Sequence, residues 1–349
     1  MSTFDRVRDL PLLVEAYRLE AHEHVVSPAF TRRTTVVRLA GGGAEGVGED
    51  VGYGSDEQAA FQAAGAVLEL AGEYSLESFS ARLEELELFS SAPSQAAYRD
   101  YRRWAFESAA LDLALRQAGR SAAEVLEREP RPLHFVLSLG ASATPTLEPI
   151  QERLRLYPDL RFKLDAGAAW DEAFVAELRQ LGVVDTVDLK GAYVGTTVDL
   201  APEPALYRAV VEGLPEAWIE DPALTEATRP ILSDHMQRVT WDAPIHSVAD
   251  IQALEVEPRT INLKPSRFGT LRRLFDAYDH CASRGIAAYG GGQFELSVGR
   301  GQIQYLASLF HPDGSNDVAP SAFNTETVPS GLPTSPLAAA HHATGFRWG

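Results

Sequence analysis

Between residues 13 and 55, apolar and polar positions alternate in short runs, "LVEAYRLEA", "TTVVRLA" and "GVGEDVGYG", interrupted by a loop through Pro28 and by a glycine turn. A period of two puts neighbouring side chains on opposite faces, so the pattern predicts three strands in a meander. From Ser55 to about Glu127 the apolar residues recur every three or four positions, as in "QAAFQAAGAVLELA", "SLESFSARLEELELF" and "YRRWAFESAALDLALRQAG". That period predicts a helical block, with "SLES" as a capping start and Gly119 as the stop of its last helix. The pattern changes again at Pro130 and Pro132. The run "AGGGAEGVGED" superficially matches a dinucleotide fingerprint, but no helix start follows and no acidic residue closes a βαβ unit, so it reads as a hairpin turn.

Beyond Pro132 short apolar runs alternate with helical ones: "LHFVLSLG", "LRFKLD", "VVDTVDLKG", "EAWIEDP", "RVTWDAP", "RTINLKPS" and "IAAYGGG". This is the rhythm of repeated βα units, which a closed barrel and a doubly wound open sheet share. Charge at the strand ends separates the two. Asp188, Glu220, Asp242 and Lys264 each fall at the C-terminal end of a predicted strand, at separations of 32, 22 and 22 residues. A closed barrel brings successive strand ends around one mouth, where three carboxylates repel unless a cation lies among them. An oxygen-only donor set suits Mg²⁺ or Mn²⁺.

The chain has 349 residues, enough for a large barrel with a smaller partner domain, and 45% of them are hydrophobic. A formal charge of −18 opposes nucleic-acid phosphate and anionic lipid as partners. Cys281 is the only cysteine, so no intrachain disulfide forms and a reducing, cytoplasmic setting is the simplest expectation. "MSTFDRVRDLPLL" lacks the apolar core of a signal peptide, and Val328 to Phe346, broken by prolines, glycines and His341-His342, reads as a loop-rich tail, not a membrane span.

The order and spacing of these segments resemble the enolase superfamily, nearest its muconate-lactonizing and o-succinylbenzoate synthase subgroup, over nearly the whole chain. "ESAALDLALRQAG" resembles the family's entry into the barrel and "KLDAGAAWD" its strand-two segment, usually Lys-x-Lys. "VDLKGAY", "WIEDP", "WDAPIHS" and "INLKPSRFG" are similar to its strands three to six, "GGQFELSVGR" to its glycine-rich strand seven and "SNDVAP" to the acidic segment that ends the barrel. The resemblance implies a modified (β/α)7β barrel over residues 131–325, an α+β capping domain over 1–130 and a tail, 326–349, that packs back on the cap. It implies Mg²⁺ held by Asp188, Glu220 and Asp242, a small-molecule carboxylate as substrate, and an enediolate formed when Lys264 removes the α-proton. A divalent cation nearby disfavours a second positive charge, which favours the neutral amine that proton abstraction needs. Lys163 falls beside the substrate carboxylate as an electrostatic stabiliser.

The chain departs from the family's pattern at three places. Asp165 stands where the family commonly has its second acid/base lysine, which argues against simple two-base racemisation. Lys190 stands where the strand-three Asn is usual, and shares a strand face with Asp188; Asp165 and Lys190 form a compensating exchange, paired to each other or with Lys190 supplying the missing ammonium. Ala243-Pro244 replaces a usual Glu-Ser. The resulting expectation is a lyase or cycloisomerase. An epimerase of an N-acylamino acid or dipeptide is the first alternative, and a metal-binding barrel without turnover the second.

Simpler structural roles account for the other candidates. Asp165 with Lys163 fits a barrel-mouth ion pair as well as a catalytic role. Asp221 should face away from Glu220, and Gly290 to Gly292 read as close packing. "HEH" at 22 to 24 reads as loop over the active site, not a zinc site, and His246 and His311 as satisfied histidines. The loop through Pro28 and the segment Val51 to Ser55 lie where the family places its specificity loops. The sequence leaves the oligomeric state open, although acidic barrels with broad helical faces often form homo-oligomers.

Overall fold

The computed structural model describes residues 1–27, 30–142, 144–196, 198–325 and 327–349; Pro28 therefore lies outside the described residues. The N-terminal part is built on β1 (Pro11–Val14), β2 (Ala16–Ser27), β3 (Phe30–Gly41), β4 (Ala44–Asp50) and β5 (Gly72–Ser75). β2, β3 and β4 form the expected antiparallel meander, and β1 pairs with β5. Gly42 and Gly43 turn the β3–β4 hairpin at φ 57° and 76°, a left-handed geometry that glycine adopts without strain.

The long helix Tyr98–Gln117 lies directly on this sheet. The alternation in "GVGED" explains how: a Cβ at Gly46 would sit 2.2 Å from Ala109 O and one at Gly48 2.1 Å from Ala105 O, so the bare face admits the helix backbone. The helical block is less continuous than its periodicity predicts. The first helix stops at Ala64, where Gly65 takes φ 70°, and β5 intervenes before Ser75 caps the helix Leu76–Glu84 through Ser78 N. The "HEH" segment lies on strand β2, not on a loop.

The barrel strands are β6 (Leu137–Leu139), β7 (Phe162–Asp165), β8 (Val184–Asp188), β9 (Trp218–Glu220), β10 (Val239–Thr240), β11 (Thr260–Asn262) and β12 (Ala287–Tyr289). β6 to β10 pair in parallel in chain order, β11 pairs with β12, and Asn262 N donates to Trp241 O at 3.0 Å between the two sets. The ring closes through Asn316 and Asp317: Asp317 N donates to Gly290 O and Val136 N to Asn316 O, both at 2.8 Å. That closure excludes an open sheet. Asp171 caps the outer helix Glu172–Leu181 through Phe174 N, so "KLDAGAAWD" runs from the end of β7 through a turn to a helix start. The tail returns over the cap: Phe346 N and Arg347 Nε donate to Asp112 on the long helix, each at 2.8 Å. No helix among the described residues is long and apolar enough to cross a membrane.

His311 secures the closing segment. Asn316 Oδ1 accepts from Gly290 N and can only accept from the ring, so His311 Nδ1 donates to it at 2.7 Å and Nε2 faces Tyr278 Oη at 3.2 Å. Burial pushes the imidazole down to about 4 from its usual 6.5. Between these values the unfolded chain holds more protons than the folded one, so stability is complete above the upper value and falls as pH drops toward the lower. The loss attributable to His311 approaches about 3 kcal/mol. Urea unfolding of wild type and His311→Gln at about pH 7 and about pH 5 checks this; the variant should show the flatter dependence.

Candidate active site at the C-terminal mouth of the barrel

Parallel pairing aligns Asp165 with Asp188 and Asp188 with Glu220, and Thr240 aligns with Glu220, so the strand ends share one level. Asp188 and Glu220 end β8 and β9, while Asp242 and Lys264 each lie two residues beyond their strands. Asp188, Glu220 and Asp242 are all buried, and each offers an oxygen within 4.8 Å of the others.

Four cations meet these carboxylates. Lys163 Nζ contacts Glu220 Oε2 and lies 3.8 Å from Asp188 Oδ2. Lys264 Nζ donates to Asp242 Oδ2 at 2.8 Å, and Arg267 Nη1 to Asp242 Oδ1 at 2.7 Å. Lys190 Nζ donates to Asp188 Oδ2 at 2.6 Å and lies 3.0 Å from Asp165 Oδ1. Burial alone would lower the Lys163 ammonium, but Glu220, Asp188 and Asp242 outweigh it and hold it well above the usual lysine range. Burial likewise opposes ionisation of Asp242, yet Arg267, Lys264 and Lys163 hold its carboxyl far below the usual range. Burial raises the Glu220 carboxyl, with Lys163 opposing.

The Asp165 and Lys190 side chains are thus brought together. Lys190 sits at φ 53° just past β8, which bends the chain back so that its ammonium reaches both carboxylates and lies 5.0 Å from the Tyr193 ring centre. A double-mutant cycle with Asp165→Asn and Lys190→Met, read by urea unfolding, should give a coupling of at least about 1 kcal/mol. A coupling near zero would mean that the two charges do not stabilise one another.

Several residues that sequence reasoning missed complete the site. Asp221, at φ 46°, is fully buried; its carboxylate accepts from Asp242 N and Ala243 N, both at 2.8 Å, and so aims Asp242 into the mouth. Tyr289 Oη donates to Glu220 Oε1, and Asn262 Nδ2 donates to the same oxygen at 3.4 Å. Tyr193 Oη lies between Arg267 Nη2, at 3.3 Å, and Asp242 Oδ2, at 3.4 Å. The signal for Arg267 was its place three residues after Lys264, one helical turn away; Tyr193, in a loop, carried none. Gly291 lies close against the Lys264 stem: a Cβ there would sit 2.7 Å from Lys264 Cε and would displace the lysine side chain.

The remaining candidates lie elsewhere. His22 pairs with Glu20, His24 meets the Phe294 ring edge-on, and His246 contacts the Arg267 and Ala243 carbonyls. The Val51–Ser55 segment is fixed to the barrel by Arg32, fully buried, which donates to Val51 O, Gly52 O, Gln293 O and Phe294 O.

The donor set fits a divalent cation. It consists of carboxylate oxygens only, from three strand ends, and Glu220 Oε2 is a buried oxygen whose one partner among the described residues is the Lys163 ammonium. That is the hard, anionic environment Mg²⁺ or Mn²⁺ requires.

Residues 5–125 match the N-terminal and residues 129–325 the C-terminal domain of a family described as a domain of unknown function, DUF8230. No curated protein matches the chain. Among solved structures, a dipeptide epimerase from Enterococcus faecalis superposes with a TM-score of 0.70 at 16% identity, over 96% of this chain and 99% of that one. A muconate cycloisomerase from Pseudomonas fluorescens gives 0.66 at 20% identity over 96% of each chain. An enolase superfamily member from Listeria innocua gives 0.64 at 17% identity, over 89% of this chain and 86% of that one. The fold is that of the enolase superfamily, in a divergent form.

Proposed function

For a chain that belongs to the DUF8230 family and carries this fold, we propose an enzyme dependent on Mg²⁺ or Mn²⁺ that removes the proton α to a carboxylate, acting as a lyase or cycloisomerase on a small molecule. The observation that carries this reading is the cluster of Asp188, Glu220 and Asp242 within reach of Lys264 at one barrel mouth. Those three residues would hold the ion, which when bound offsets negative charge developing on the substrate carboxylate. Lys264 is the base that takes the α-proton, and Lys163 faces the substrate carboxylate as a fixed positive charge. Asp221 and Gly291 position Asp242 and Lys264. Arg267 keeps Asp242 charged when Lys264 gives up its proton.

Lys190 is engaged by two carboxylates, which disfavours it as a second base and with it the epimerase. A binding barrel without turnover is the second reading, favoured by one observation: each of the three carboxylates already has an ammonium or guanidinium partner. Incubation with Mg²⁺ and a panel of carboxylates in D2O, followed by NMR, separates these. Loss of the α-proton signal without inversion supports the proposal, and inversion supports an epimerase. Binding with no exchange for any ligand supports the inert barrel.

A further inference from the structure

At the opposite end of the barrel a cavity of about 480 Å³ opens beneath the strand starts Trp218, Thr260 and Ala287. Its walls are mixed: Tyr278, Phe310 and Ile286 give it an apolar side, set beside polar and charged residues, and its roof is Tyr289, the residue whose hydroxyl meets Glu220 on the other side. Its charge runs against that of the chain. In a protein of net charge −18, three arginines, Arg128, Arg131 and Arg259, line this space, with Asp313 as the only carboxylate among the lining residues.

Asp313 is taken by Arg131, at 2.9 Å. Arg128 lies over the Phe310 ring, 4.2 Å from its centre, and its guanidinium donates to Leu309 O at 3.4 Å. Burial lowers that guanidinium from its usual range, with the Asp279 carboxylate opposing. The Arg259 side chain makes no hydrogen bond or ion pair among the described residues. His311, also in the wall, is kept neutral by burial and adds no charge. Two guanidinium groups therefore face a concave, aromatic space without a carboxylate partner lining it. A planar fork of donors beside an apolar wall recognises a carboxylate attached to an apolar body.

The geometry points to a second ligand site at the N-terminal end of the barrel, which takes a small apolar or aromatic carboxylate through Arg128 and Arg259. It is independent of the proposed chemistry at the other mouth.

The single cysteine makes the test local, because Cys281 lines this cavity. Full-length protein carrying [3-¹³C]cysteine is titrated with benzoate and, separately, with inorganic phosphate. Benzoate should displace the one cysteine signal saturably. Arg128→Ala/Arg259→Ala, at a half-buried and an exposed position, should weaken that affinity about tenfold, the scale of one lost charged hydrogen bond. No saturable displacement, or equal affinity in wild type and the double variant, would overturn the site. Phosphate acting as strongly as benzoate would overturn the assignment to an apolar carboxylate.

Discussion

Lys264→Ala is expected to slow α-proton exchange of an active carboxylate by between about a hundredfold and ten-thousandfold, the usual contribution of a positioned acid/base group. The reason is geometric. Lys264 approaches the acidic cluster past Gly291, and its amine meets Asp242 at 2.8 Å. Removing it leaves Asp242 still paired with Arg267 and still aimed by Asp221, so the variant should fold and bind Mn²⁺ like wild type. Exchange measured by NMR in D2O, alongside Mn²⁺ titration calorimetry, separates the two properties. Undiminished exchange with intact metal binding would remove Lys264 from the chemistry.

Lys163→Met should cost roughly 3–5 kcal/mol of stability in the absence of divalent ions, because a buried ion pair loses one partner. Without that ammonium, Glu220 and Asp188 face each other with less compensation. Burial already raises the Glu220 carboxyl, and a raised acid stabilises less as pH climbs above the unfolded value, so the deficit should be larger at pH 7 than at about pH 5. A divalent ion that binds only the folded chain offsets the deficit by mass action. Urea unfolding with and without Mg²⁺ reads both effects. A deficit that Mg²⁺ leaves untouched would mean that Lys163 does not stand where its charge and the ion's are alternatives.

Much of this site is legible in the sequence because strand ends leave a chemical mark. Asp188, Glu220 and Asp242 follow β-branched or aromatic runs at βα spacing, and a parallel barrel carries such positions to one rim whatever the details of the helices. The meander was equally plain from its period of two. What the sequence hides depends on contacts distant along the chain. Gly65 interrupts a run of helical period because it takes φ 70°, and β5 exists only because β1 offers it a partner. Asp221 was expected to face away from Glu220, but its hold on Asp242 N depends on a left-handed backbone that periodicity does not encode. Tyr193 reaches Arg267 from a loop, and the arginine-lined cavity gathers residues from 128 to 315, so neither leaves a local pattern.

Crystals soaked in Mn²⁺ and measured for anomalous scattering test the central claim most directly. One strong peak ligated by Asp188, Glu220 and Asp242, with Lys163 displaced from Glu220 and Lys264 facing the ion, is the predicted result. No peak at that mouth, with the three carboxylates still held by Lys163, Lys190, Lys264 and Arg267, would contradict it.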